Sequence, residues 1–118
     1  MDNCIFCKIV ARQLPSTIVY EDDEMLAFKD INPAAPVHFL LIPKMHLDGL
    51  AKAEAKHTEI LGKLLGLAPQ LARQHGCDVI EHTDGSRSGG FKTVINTGPD
   101  GGQLVYHLHL HVLGTPNK

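Results

Sequence analysis

The chain reads as an α+β domain: an antiparallel sheet of about five strands, one long helix and a short N-terminal helix. Three observations predict this. Short apolar or alternating runs, bounded by Pro, Gly and Asp, recur in the first part of the chain and again after Gly90. Between about Ala53 and His75 the apolar residues fall instead on a helical stripe. Residues 107 to 113, His-Leu-His-Leu-His-Val-Leu, then alternate strictly.

The elements follow in order. Asn3 is a plausible N-cap for a helix over about Cys4 to Val10, ended by Pro15. Thr17 to Tyr20 and Met25 to Phe28 form two strands around the acidic turn Glu21-Asp22-Asp23. Asn32-Pro33-Ala34-Ala35-Pro36 is a rigid connection, since each proline fixes φ and removes a donor. Val37 to Ile42 is a buried strand stopped by Pro43 and broken only by His38. Ile60, Leu64, Leu67 and Leu71, flanked by Leu61, Leu65, Ala68 and Ala72, give the long helix its stripe. Pro69 should kink that helix and Gly76 should end it. Glu81 to Gly90 reads as a flexible loop or hairpin tip, Phe91 to Asn96 as a strand, and Val105 to Leu113 as the histidine strand. One face of the sheet would lie on the helix. The other would be wet and carry the histidines.

The 118 residues fit one domain, and 43% hydrophobic content suffices for a core. A net charge of −2 and a pI near 6.4 give no electrostatic reason to bind nucleic acid or an anionic membrane. No apolar run approaches the ~20 residues of a membrane span, and Met1-Asp2-Asn3-Cys4 does not open a signal peptide, so a cytoplasmic protein is expected. Three cysteines argue against a disulfide framework. Cys4 and Cys7 read as metal ligands, as a redox pair or as two small core residues.

On a strand, His107, His109 and His111 share one face while Leu108, Leu110 and Val112 enter the core. Three readings compete. The face is merely solvated and histidine-rich. Or His-x-His joins His38 around a catalytic zinc that activates water. Or one imidazole attacks phosphorus and forms a covalent phospho-histidine, while a neighbour donates to phosphate oxygens. The segment just upstream, Asn96 followed by Thr97-Gly-Pro-Asp-Gly-Gly-Gln103, favours phosphorus. A Gly-rich turn lets backbone N–H groups approach phosphate, and Asn96 and Gln103 add amide donors.

This combination resembles the histidine triad (HIT) superfamily over nearly the whole chain. The motif His-φ-His-φ-His-φ-φ, with φ apolar, stands at residues 107–113. Cys4-Ile-Phe-Cys-Lys-Ile9, Phe28-Lys-Asp-Ile-Asn-Pro33, His38-Phe-Leu-Leu-Ile-Pro-Lys-Met-His46 and Gly101-Gly-Gln-Leu-Val-Tyr-His107 extend the likeness. The chain looks most similar to the small nucleotide-binding branch, homodimers that hydrolyse purine nucleoside phosphoramidates and related nucleotidyl substrates.

That resemblance implies roles. His109 is the nucleophile that takes the nucleoside monophosphate. His111 holds the phosphate, and His38 orients or polarises those rings. Asp30 matches the carboxylate that holds the ribose. Ile31, Phe6 and Ile9 wall the purine. Asn96, Gly102 and Gln103 match the phosphate and leaving-group side. The resemblance also implies a structural zinc on Cys4, Cys7, His46 and His107, closed and non-catalytic, with no catalytic cofactor. Cys77 is a packing residue, and His57, His75, His82, Lys44 and Lys92 are expected at the solvated surface. Leu104 stands where many members carry Ser or Thr, so the leaving group is open. Alternatives within this framework are a dinucleoside polyphosphate hydrolase or a regulatory nucleotide-binding dimer with little catalysis.

Overall fold

The computed structural model describes residues 3–117. The chain runs α1 (Ile5–Val10), β1 (Ile18–Glu21), β2 (Met25–Lys29), β3 (Val37–Pro43), α2 (Thr58–Gln74), β4 (Val79–Glu81), β5 (Arg87–Gly89), β6 (Phe91–Val94) and β7 (Leu110–Gly114). Five strands make one antiparallel sheet in the order β1-β2-β3-β7-β6. The expected class, sheet size and two helices are all present.

Both faces of the sheet are covered, and this explains why β2 and β3 are almost continuously apolar. Met25, Ala27, Val37, Phe39, Leu41, Leu110 and Val112 pack on one side with Leu64, Ala68, Leu71 and Ala72 of α2. Leu26, Phe28, Leu40 and Ile42 pack on the other with Phe6 and Ile9 of α1. The histidine face is therefore not the wet face anticipated. His107 is fully buried and His109 is only 7% exposed. A six-residue helix suffices to close this side because Phe6 stands edge-on to Phe28, His107 and His109. Burying aromatic edges against rings adds to the area term.

Several boundaries moved. The N-cap of α1 is Cys4, not Asn3: its sulfur accepts from the Cys7 N–H at 3.2 Å. The long helix begins at Thr58 rather than Ala53, because two short 3-10 turns, Leu50–Lys52 and Ala55–His57, precede it. His57, expected in solvent, is buried and accepts the Glu54 N–H at 2.9 Å in a capping box at the entrance to α2. His75 also turns inward. It donates from Nδ1 to the Leu71 carbonyl at 2.8 Å and lies against Phe39. α2 runs unbroken through Pro69, while Leu65, placed beside the stripe, is 58% exposed. Residues 79 to 89 form a separate two-stranded hairpin, the second of the two forms expected of that segment.

The histidine segment is regular strand only from Leu110 onward. Residues 105–109 leave the ladder, and Leu108 instead donates its N–H to the Leu47 carbonyl. Alternation still holds through the bend: Leu108, Leu110 and Val112 are in the core. Leu64, 1% exposed, is a central knob of α2 against the sheet. Leu64→Ala should cost about 2–5 kcal/mol, read as a lower denaturant midpoint at unchanged slope.

Candidate active site and metal cluster

The three histidines have different surroundings, and their hydrogen bonds fix different protonation patterns. His109 Nδ1 lies 2.8 Å from its own neighbour's carbonyl, that of His107. A carbonyl only accepts, so Nδ1 carries the proton and Nε2 of the neutral ring keeps a lone pair. A second chain of bonds reaches His111. The Ala34 N–H donates to His38 Nδ1 at 3.0 Å, so neutral His38 holds its proton on Nε2. That Nε2 lies 2.9 Å from His111 Nδ1 and donates to it. His111 is left with its proton on Nε2. The carboxylate of Asp30 stands 3.4 Å from His38 Nε2 and accepts the Asn32 N–H at 2.8 Å. His109 and His111 stand edge to face, with ring centres 5.1 Å apart. The pair therefore presents a lone pair beside a proton donor.

Both rings line a cavity of 540 Å³, a size suited to a small organic ligand. Its apolar walls are Ile5, Phe6, Ile9, Phe28, Leu40 and Val105, with Ile31 and Leu104 at its exposed rim. Its polar groups include Asp30, Asn96 and the histidine pair. Of the residues expected from the sequence, Phe6, Ile9, Asp30, Ile31, Asn96, Gly102, His109 and His111 share this cavity, and His38 sits behind His111.

Gln103 is placed differently. It is buried and does not line the cavity. Its Oε1 accepts the Gly98 N–H at 3.0 Å, and its Nε2 donates to the carbonyls of Asp48 and Val105 at 2.7 and 3.1 Å. It braces the turn from within. The expected cradle of glycine N–H groups is spent in the same way. The N–H groups of Gly101 and Gln103 bond the Gly98 carbonyl, and that of Gly102 bonds the Pro99 carbonyl. The glycines are required by shape. Gly102 has φ +79°, and a Cβ on Gly101 would stand 2.2 Å from the Thr97 carbonyl oxygen. Among the described residues the N–H groups of Leu104 and Val105, next in the chain and on the cavity wall, have no internal acceptor.

Burial, then the repulsion a charged His111 would meet from protonated His109 and His38, pushes His111 below its ordinary pKa. The unfolded chain thus takes up a proton at His111 before the folded one does. The stability this neutral ring contributes is present above the ordinary histidine pKa of about 6.5, and it is lost as pH falls through the lower folded value. Thermal midpoints should drop between pH 7.5 and pH 5, less so in His111→Gln.

His107 faces a different cluster. Its Nε2 donates to the Pro43 carbonyl at 2.8 Å, which leaves the Nδ1 lone pair 3.3 Å from Cys4 Sγ and 3.5 Å from Cys7 Sγ. His46 repeats the pattern: Nε2 donates to the Asp48 carboxylate at 2.7 Å, and Nδ1 lies 3.3 Å from Cys7 Sγ. All four ligand atoms lie within 4.8 Å of one another. A tetrahedral ion with about 2.3 Å to sulfur and about 2.0–2.1 Å to nitrogen has S–N edges of roughly 3.5 Å, so the donor set fits such an ion. The outer partners, a carbonyl and a carboxylate, are those that orient ligating imidazoles. Burial and then the adjacent Cys4 sulfur push the Cys7 thiol up to about 11, a penalty that a cation between the sulfurs reverses.

The three-histidine catalytic zinc weighed above has no geometric basis here. His107 belongs to the cysteine cluster and His38 to the His111 relay, and among the described residues neither His107 with His109 nor His109 with His111 forms a three-histidine group with His38. Asp30, His38 and His111 do come together, but the Ala34 N–H occupies the His38 Nδ1 lone pair. The proton then sits on the nitrogen that a cation would need. Sequence reading missed Ala34, Pro43 and Asp48. The first two act through the backbone and leave no trace in residue type. Asp48, two residues after His46, was the one legible signal.

Known proteins resemble the chain along nearly its whole length. The family model described as "Scavenger mRNA decapping enzyme C-term binding" matches residues 3–118. The chain is 56% identical over 116 residues to Protein HitA of Neisseria gonorrhoeae, covering 98% of this chain and 99% of that one. It belongs to the histidine triad superfamily, in its HINT-like branch. Within that branch it is 52% identical to a 14 kDa zinc-binding protein of Brassica juncea, over 93% of this chain and 90% of that one. It is 50% identical to Adenylylsulfatase HINT1 of Arabidopsis thaliana, over 93% of this chain and 69% of that one. A solved HIT family hydrolase from Legionella pneumophila superposes with a TM-score of 0.85 at 40% identity, covering 98% and 95% of the two chains. The fold expected from the HIT resemblance is thereby established, and relatives of this histidine triad chain carry hydrolase and zinc-binding names.

Proposed function

We propose that the chain is a nucleotide hydrolase that cleaves purine nucleoside phosphoramidates or related nucleotidyl substrates through a covalent nucleotidyl-His109 intermediate. One observation carries this reading: the His109 Nδ1–H is committed to the His107 carbonyl, so Nε2 offers its lone pair to the cavity beside the His111 Nε2–H. In the first step Nε2 attacks phosphorus. The N–P bond forms as the bond to the leaving group breaks, and the electron pair departs with that group. Water then attacks phosphorus, the N–P bond breaks, and its electrons return to Nε2. The amine takes a proton from solvent as it departs in the first step; in the second, the attacking water leaves its hydroxyl on the monophosphate and returns a proton to solvent. The His111 Nε2–H, backed by His38 and Ala34, donates to the phosphate oxygens as their charge grows. Asp30 holds the ribose, and Phe6, Ile9, Phe28 and Ile31 flank the purine.

Cys4, Cys7, His46 and His107 hold a zinc ion in this reading. With all four positions filled by the chain, the ion supplies structure and no activated water. The enzyme is a cytoplasmic homodimer that needs no catalytic cofactor. Intact mass after brief mixing with adenosine 5′-phosphoramidate tests the chemistry. The expected result is a transient adduct of one adenosine monophosphate. Steady turnover with no adduct at any mixing time would remove the covalent step.

A further inference from the structure

A second cavity of 350 Å³ adjoins the first. It is lined by Asn3, Cys4, Ile5, Leu104, Val105 and Tyr106. Ile5, Leu104 and Val105 line both cavities. The two meet at the phosphate end of the site, since Leu104 and Val105 follow Gly102 directly after one intervening residue and share the main cavity with Gly102 and His109. A substrate with its phosphorus at His109 has its nucleoside toward Asp30 and Ile31, and its remaining substituent is left the Leu104 side.

We propose that this second cavity receives the leaving group and that Leu104 selects an uncharged, apolar or aromatic one. The inference rests on the nucleotidyl-transfer reading above. Its support is chemical. None of the six lining residues is a Lys, Arg, Asp, Glu or His. The Cys4 sulfur is turned to His107 and to the Cys7 N–H. The polar groups left, the Asn3 amide and the Tyr106 hydroxyl, are neutral. A polyphosphate or carboxylate placed here gives up hydration with no counter-ion among the described lining residues, which is costly. Meanwhile Leu104 is 90% exposed, Ile5 51% and Tyr106 46%. An apolar group bound beside a phosphate site covers that surface, and covering it is favourable at about 25 cal/mol per Å². This separates the phosphoramidate reading from dinucleoside polyphosphate hydrolysis, whose leaving group is strongly anionic.

The test compares two adenosine 5′-phosphoramidates, one of 2-phenylethylamine and one of an alkylamine ending in a carboxylate. In the wild type the ratio of their kcat/KM values is expected to exceed about ten, the discrimination an apolar pocket supplies. In Leu104→Arg, which removes no buried packing and adds a cation, the ratio should fall below one. Equal use of the two amides by the wild type overturns the inference and leaves the nucleotidyl mechanism standing. An equal loss for both amides in Leu104→Arg, with a change of oligomeric state by sedimentation, overturns it too, because Leu104 is then an interface residue. If neither amide yields the nucleotidyl adduct, the mechanism fails and the inference falls with it.

Discussion

His109→Ala is expected to lower turnover of adenosine 5′-phosphoramidate by more than about 10⁴-fold, because it removes the only atom proposed to bond phosphorus. The adduct seen by intact mass should vanish with it. His109 is 7% exposed and packs edge-on against Phe6 and His111, so the variant also loses buried contact. Its thermal midpoint must therefore be measured alongside. His109→Gln is the companion variant: it fills more of the space and can still donate to the His107 carbonyl. Both variants should bind adenosine monophosphate, since Asp30 and the apolar walls are intact. Folded His109→Gln that turns over at a tenth of the wild-type rate would falsify the nucleophile assignment.

Removing the metal should cost stability before it costs chemistry. Wild-type protein is expected to contain stoichiometric zinc. Prolonged chelation should lower the thermal midpoint by on the order of 10 °C or more, as expected when an ion that binds only the folded site is withdrawn. Cys7→Ser should show reduced zinc and a similar midpoint without chelator. Cys7 is the telling choice, since its sulfur approaches both His46 and His107. Wild-type zinc content in both Cys4→Ser and Cys7→Ser, with no loss of midpoint, removes the structural metal. A chelated protein that retains its fold but loses all adduct formation would instead point to a metal acting in the reaction.

Much of the architecture was legible because periodicity reports burial. The alternation of Leu108, Leu110 and Val112 placed the histidines on the opposite side from α2, and the structure agrees even where the ladder is interrupted. What alternation could not say is what covers that side. A six-residue helix carrying Phe6 and Ile9 does so, and nothing in the triad itself announces it. The four-ligand cluster came from the resemblance to the histidine triad superfamily, not from the spacing of the cysteines, and all four residues converge. His57 and Gln103 were misread for a common reason. Each looks like a polar residue available to solvent or ligand, yet each satisfies backbone groups in an irregular segment. Such duties depend on which carbonyl or N–H the fold leaves unpaired, and residue type does not record that.

Helix α1 has only six residues, yet Cys4 caps it, Cys7 leaves it for the metal cluster, and Phe6 and Ile9 leave it for the cavity wall. A metal on the cysteines and a nucleotide on Phe6, both as proposed above, would therefore hold the same short segment. Whichever arrives first bears the entropy cost of fixing it, and the second binds to a wall already set. Thermodynamic linkage makes the benefit mutual: by whatever factor zinc tightens nucleotide, nucleotide tightens zinc. In the reading proposed above, the structural ion and the substrate share no ligand, yet linkage through α1 makes each an effector of the other.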